Sequence, residues 1–210
     1  MTLTLLELHH VDVGPAGGPR LLAGLSARVG PGLTLILGGD GAGKTTLLRL
    51  LAGELAPRAG EVRRAVAPEA VFWCDPQSDR HDALSGEAYL ALQRGRHAGW
   101  QAAALAHHVE RFGLAGHLGK PLYALSTGTR RKLRLAAALA SGAPLTLIDE
   151  PFAALDRRAV LHLLDALEDV VAPEDGRAPA RAVVVAHAGA AEDFDGIAPA
   201  AVLALPARGD

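Results

Sequence analysis

Gly38-Gly39-Asp40-Gly41-Ala42-Gly43-Lys44-Thr45 is the stretch whose reading decides the fold. It fits G-x-x-x-x-G-K-[ST], the pattern of a loop that cradles phosphates. Leu33-Thr34-Leu35-Ile36-Leu37 precedes it, a short apolar run of the kind that forms a parallel strand buried on both faces. The residues after it predict a helix from Lys44 to about Ala52. The residue types suit the chemistry. Glycines let backbone N–H groups turn inward around phosphate oxygens. A helix starting at the loop points the positive end of its dipole at the same anion. Lys44 supplies a full positive charge to the outer phosphates, and the Thr45 hydroxyl can ligate Mg²⁺.

The second informative stretch is Leu145-Thr146-Leu147-Ile148-Asp149-Glu150-Pro151, an apolar strand ending in two acids. An acid at the carboxyl end of such a strand lies at the rim of an open α/β sheet, where ligands bind. Asp149 can hold Mg²⁺ there, and Glu150 can orient or deprotonate an attacking water.

Around these two stretches the chain alternates strand-like and helix-like segments. Strands are predicted at 3–13, 21–29, 33–37, 71–74, 145–148, 182–186 and 202–205. Helices are predicted at 44–52, 86–94, 100–112, 127–140 and 157–171, with a loop at 172–179. The alternation predicts an α/β fold around a mainly parallel sheet. Residues 78–120 read as helices alone. Half of the 210 residues are apolar and 21% are charged, enough for a packed core built mostly from Leu, Ala and Val, since aromatics are only 4%. The net charge is −2 with no basic tail or stripe, which argues against nucleic acid as the main partner. Cys74 is the only cysteine, so no internal disulfide or multi-cysteine metal site forms. No run of about 18 uninterrupted apolar residues occurs, and the N-terminus lacks the pattern of a secretory signal. A soluble, cytosolic chain is expected, and any membrane role requires a separate partner.

The chain resembles the nucleotide-binding subunits of the ATP-binding cassette family over nearly its whole length. Leu125-Ser126-Thr127-Gly128-Thr129 resembles that family's signature Leu-Ser-Gly-Gly-Gln, Ala154-Leu155-Asp156 its D-loop, Gln77 its Q-loop glutamine and His187 its switch histidine. The resemblance implies a P-loop NTPase core with a small N-terminal antiparallel β subdomain and a helical subdomain inserted at about 78–135, all within one domain, 1–210. It implies that ATP and Mg²⁺ are bound and ATP is hydrolysed. Gly38 to Thr45, with Thr46, would hold the phosphates; Thr45, Gln77 and Asp149 would hold the metal; Glu150, Gln77 and His187 would serve hydrolysis. It further implies a second cassette subunit, in a homodimer, whose phosphate loop is completed across the interface by Ser126 and Gly128, with Asp156 of the D-loop also among the nucleotide-binding residues. A separate transmembrane subunit would hold the pair at the inner face of the cell membrane. In size and layout the chain resembles the ATPase subunits of exporters, among them the haem-exporter ATPase of cytochrome c maturation. The alternative is a soluble ATPase of the same type acting on a non-membrane macromolecular partner.

Two departures from the family pattern stand out. Thr127 and Thr129 replace Gly and Gln in the signature. No aromatic residue precedes Phe72, and Ala16 lies where the adenine-stacking ring is expected, so Val13, Pro15 or Ala16 would face the base. His9-His10 and His107-His108 are adjacent pairs whose side chains diverge, so neither suits a two-ligand metal site. Arg130, Arg131, Lys132 and Arg134 read as a solvated helix face, or else as an interface with the opposite subunit.

Overall fold

A computed structural model of the chain describes residues 3–14, 17–73, 75–76, 78–172, 181–194 and 196–206. Its larger sheet has five strands: β3 (Gly32–Leu37), β5 (Val71–Trp73), β6 (Leu145–Asp149), β7 (Ala182–His187) and β8 (Ala201–Ala204). They lie in the order β5-β6-β7-β3-β8, and every neighbouring pair is parallel. The three central strands are buried on both faces, which is why their sequences are nearly continuous Leu, Ile, Val and Ala.

Helices cover the sheet. In α5 (Arg157–Val171) the buried positions 159, 162, 163, 166, 167 and 170 recur every three or four residues, so one stripe faces the core. α1 (Lys44–Leu51) buries Leu47, Leu48, Leu50 and Leu51. Within 78–135 lie α2 (Gly86–Arg96), α3 (Ala102–Arg111) and the first half of α4 (Thr127–Ala140). Their contact seams carry fully buried Tyr89, Leu114 and Leu122. Trp100 packs partly buried against the same core, so Tyr89 and Trp100 both serve packing.

A second, antiparallel sheet has the order β2-β1-β4, with β1 at Leu6–Val13, β2 at Leu22–Val29 and β4 at Ala59–Arg64. The strand β4 was not expected from the sequence. Its stretch Ala-Gly-Glu-Val-Arg-Arg contains a single large apolar residue and is mostly exposed. Pairing with β1 creates it, not its own pattern. Gly60 is obligatory there: its φ is 81°, and a Cβ would lie 2.3 Å from the carbonyl oxygen of His10. No described helix is long and apolar enough to cross a membrane.

Candidate nucleotide site

The strand order places the carboxyl ends of β6, β7 and β3 side by side. The loop after β3, the acids after β6 and His187 ending β7 therefore meet at one rim of the sheet. Gly41 and Gly43 take φ values of 76° and 95°, the left-handed region where a side chain is costly. The loop, with the start of α1, lines a cleft of about 460 Å³ with Asp40, Gly41, Gly43, Lys44, Thr45 and Thr46 on its wall. Gly38, Gly39 and Ala42 complete the turn. A side chain at Gly38 would crowd Ala42 and Leu205, since a Cβ would stand 3.1 Å from each.

Lys44 is 7% exposed. Its ammonium donates to the carbonyls of Gly38 at 2.7 Å and Gly39 at 3.1 Å, and lies 3.2 Å from Glu150 Oε1. Its charge is thus engaged inside the loop. Glu150 lines the same cleft. Its φ of 45° turns the chain out of β6 directly after the strand, at a cost of order 1 kcal/mol. Its N–H still donates to Ala186 at 2.9 Å, the Arg131 guanidinium donates to its carbonyl, and Oε2 accepts from the Ala188 N–H at 3.2 Å. His187 Nδ1 is 3.4 Å from the same Oε2.

Asp149 accepts at Oδ2 from the Thr45 hydroxyl at 2.6 Å, joining residues 104 apart in sequence. Its other oxygen, Oδ1, is buried with no hydrogen-bond partner. Burial pushes its carboxyl above the usual range, and the Thr45 bond opposes that shift. An orphaned carboxylate oxygen beside a threonine hydroxyl fits a divalent cation, which would take both oxygens as ligands and hold the carboxyl ionised. Mg²⁺ characteristically uses one or two carboxylates with substrate phosphates. The donor set present fits that habit.

The remaining expected residues lie elsewhere. Ser126 caps α4, accepting from the Thr129 N–H at 3.1 Å, and its hydroxyl is 2.9 Å from that of Thr129. Thr129 thus closes back on the cap in place of the longer glutamine. Gly128 packs on the turn after Pro151, where a Cβ would lie 2.4 Å from the carbonyl oxygen of Ala154. Among the described residues, neither Ser126 nor Gly128 lines the phosphate cleft. Asp156 caps α5, accepting from the Ala159 N–H at 2.9 Å, and pairs with Lys132, which holds its carboxyl below the usual range. Gln77 and Cys74 lie outside the described residues, as do Pro15, Ala16 and most of the predicted loop at 172–179.

Three expectations need correction. Val13 is 1% exposed and faces the core of the antiparallel sheet, so it does not meet a base. Pro19 and Leu21 line the cleft instead, because the chain re-enters β2 beside the phosphate loop. The arginines of α4 are not a freely solvated face. Arg130 pairs with Asp82 at 2.9 Å. Arg131 reaches the carbonyls of Asp149 and Glu150. Arg134 donates to the carbonyls of Pro76 at 3.1 Å and Ser78 at 3.0 Å. Backbone oxygens at strand ends have no sequence signature, so these contacts were not legible. His107 and His108 do not diverge: their rings lie edge to face with centroids 5.7 Å apart, both rings meet that of His162 on α5, and His108 Nδ1 lies 3.0 Å from His162 Nε2. Burial pushes His108 and His162 down to about 4, so both are neutral at pH 7. No described group of three or more His, Cys, Asp and Glu could hold a metal ion by itself.

Known proteins resemble this arrangement in sequence and fold. The family model described as ABC transporter matches residues 22–153. The cytochrome c biogenesis ATP-binding export protein CcmA of Pseudomonas savastanoi pv. phaseolicola is 36% identical over 156 residues, covering 70% of this chain and 73% of that one. The protein of the same name from Brucella abortus is 32% identical over 163 residues, covering 74% and 75%. Among solved structures, an ATP binding subunit of an ABC transporter superposes with a TM-score of 0.69 at 26% identity, over 87% of this chain and 79% of the other. An ATP-binding protein of Pyrococcus furiosus shares the fold over 95% and 96% of the two chains, with a TM-score of 0.73 at 20% identity.

Proposed function

The chain belongs to the ABC transporter family as an ATP-binding ATPase subunit that powers a membrane transporter, and from that premise we propose that it works as one of two like cassettes closing on ATP. The observation that carries the pairing is the separation within one chain of the phosphate cleft from Ser126 and Gly128, which sit at the start of α4 and do not line it. A second copy would present the N-terminus of its α4 there, with N–H groups and dipole directed at the outer phosphate. In this reading 1–210 is one cassette with 78–135 as its helical insert, and a separate transmembrane subunit holds the pair at the inner membrane face.

Within one cassette the residues divide the work as follows. The phosphates enter beside Lys44 and draw its ammonium away from Glu150. Thr45 and Asp149 would hold Mg²⁺, which when bound supplies charge for the phosphate oxygens. Glu150, freed from Lys44, orients the water that attacks the γ-phosphorus and accepts its proton. The bond from the γ-phosphorus to the bridging oxygen breaks, releasing ADP and phosphate. His187 stands against Glu150 on the far side.

Glu150→Gln protein is expected to pass from monomer to dimer on adding ATP, and Ser126→Arg in that background to block the change. Light scattering checks both. A species that remains monomeric at saturating ATP would overturn pairing as a property of this chain.

Base recognition rests on Pro19 and Leu21, which are aliphatic and make no directional hydrogen bonds. An aromatic stack contributes about 1–3 kcal/mol in nucleic-acid complexes. Without one, the isolated protein should bind ATP weakly and GTP almost equally. Titration with both nucleotides decides it: a preference beyond about tenfold, or roughly 1.4 kcal/mol, would mean another group reads the adenine.

A further inference from the structure

After β7 the chain turns at Ala188 and Gly189 and re-enters a short 3-10 turn at Ala191–Phe194. That turn returns Asp193 to the end of the strand. Asp193 Oδ2 lies 3.0 Å from His187 Nε2 and accepts from the Ala190 N–H at 2.9 Å. The contact occupies the space where residue 189 would carry a side chain. A Cβ on Gly189 would stand 2.1 Å from Asp193 Oδ2 and 2.4 Å from His187 Nε2. The imidazole is held from its flanks as well. Phe152 and Phe194 cross it edge to face, with centroids 5.3 and 5.6 Å away and planes at 85° and 87°. The His187 side chain is 13% exposed, with Asp193 bonded at Nε2 and the Glu150 carboxylate facing Nδ1.

We propose that Asp193 is a positioning residue for hydrolysis, fixing the proton of His187 on Nε2 so that Nδ1 is the nitrogen turned toward Glu150. This rests on the reading above that Glu150 and His187 serve turnover. An ionised carboxylate only accepts hydrogen bonds, so Nε2 carries a hydrogen whenever Asp193 is charged. The bonds from His187 and Ala190 hold the Asp193 carboxyl below the usual range, so it is charged throughout the neutral region. Nδ1 has no hydrogen-bond partner of its own and faces Glu150 Oε2 at 3.4 Å. It can therefore take up a proton on the Glu150 side, or donate one there when the ring is charged. With the opposite tautomer Nδ1 carries the hydrogen permanently, and that capacity is lost. Partners of this kind set tautomer and ring orientation in metal-ligating histidines, where their loss typically costs about 10–100-fold in affinity or activity. Asp193 lies outside the phosphate cleft, so its effect should fall on turnover and not on nucleotide binding.

The test is a double-mutant cycle on the full chain with steady-state ATPase, backed by ¹⁵N-histidine spectra. Asp193→Asn keeps the shape, and at 51% side-chain exposure it should not perturb folding. It is expected to lower kcat about 10–100-fold with KM for ATP unchanged. In a His187→Ala background the same substitution should change kcat less than about twofold, because the groups act as a unit. The His187 resonance, assigned by its absence in His187→Ala, should show hydrogen on Nε2 in the parent chain and a mixture of tautomers in Asp193→Asn. An undiminished loss in the His187→Ala background, a change in KM alone, or an unchanged tautomer would each overturn the proposal. Wild-type turnover in His187→Ala alone would instead bring down the reading of His187 on which it rests, and the assignment of Asp193 with it.

Discussion

Glu150→Gln is expected to keep ATP binding and to lose about 10²–10⁴ in turnover, the usual cost of removing a positioned base. The substitution preserves shape: the amide can still accept from the Ala188 N–H, now 3.2 Å from Oε2. What it removes is the negative charge 3.2 Å from Lys44. That charge competes with phosphate for the same ammonium. Its loss should leave ATP affinity equal or higher while the attacking water loses its acceptor. Steady-state ATPase and calorimetric titration on one preparation separate the two effects. Near-normal turnover in the mutant would remove Glu150 from the mechanism.

Lys44→Ala is expected to weaken ATP binding by about 10–150-fold, taking a charged hydrogen bond as worth roughly 1.5–3 kcal/mol. Turnover should fall as well, since the same ammonium neutralises phosphate in the ground and transition states. The change also leaves the carbonyls of Gly38 and Gly39 without their donor and the Glu150 carboxylate without its neighbouring cation. A thermal melt of the mutant should accompany the titration, so that lost binding is not mistaken for lost folding. Unchanged nucleotide affinity in a folded Lys44→Ala protein would show that this loop is not the phosphate site.

Most elements were legible because their signals are local. α4 and α5 run over Thr127–Ala140 and Arg157–Val171, as their periodicity predicts, and each begins at a side-chain cap, Ser126 or Asp156. β6 and β7 announce themselves as nearly continuous apolar runs because both faces are covered. The strand β4 escaped notice because an exposed edge strand owes its conformation to its neighbour's hydrogen bonds. The α4 arginines and Asp193 escaped for a related reason. Each acts on a group whose position depends on the packed fold, and a carbonyl at a strand end looks the same in sequence as any other.

By itself the sequence determined the glycine-rich loop that can take positive φ, the lysine and threonine that follow it, and the two acids ending an apolar strand. These properties depend on residue type and immediate neighbours. Only the tertiary structure decided that Glu150 meets both Lys44 and His187, that Pro19 and Leu21, not Val13, border the cleft, and that Asp193 holds the imidazole. Those contacts require β7 to lie between β6 and β3. That order joins strands more than a hundred residues apart. It arises from the packing of apolar faces over the whole sheet, which no short stretch of the chain encodes.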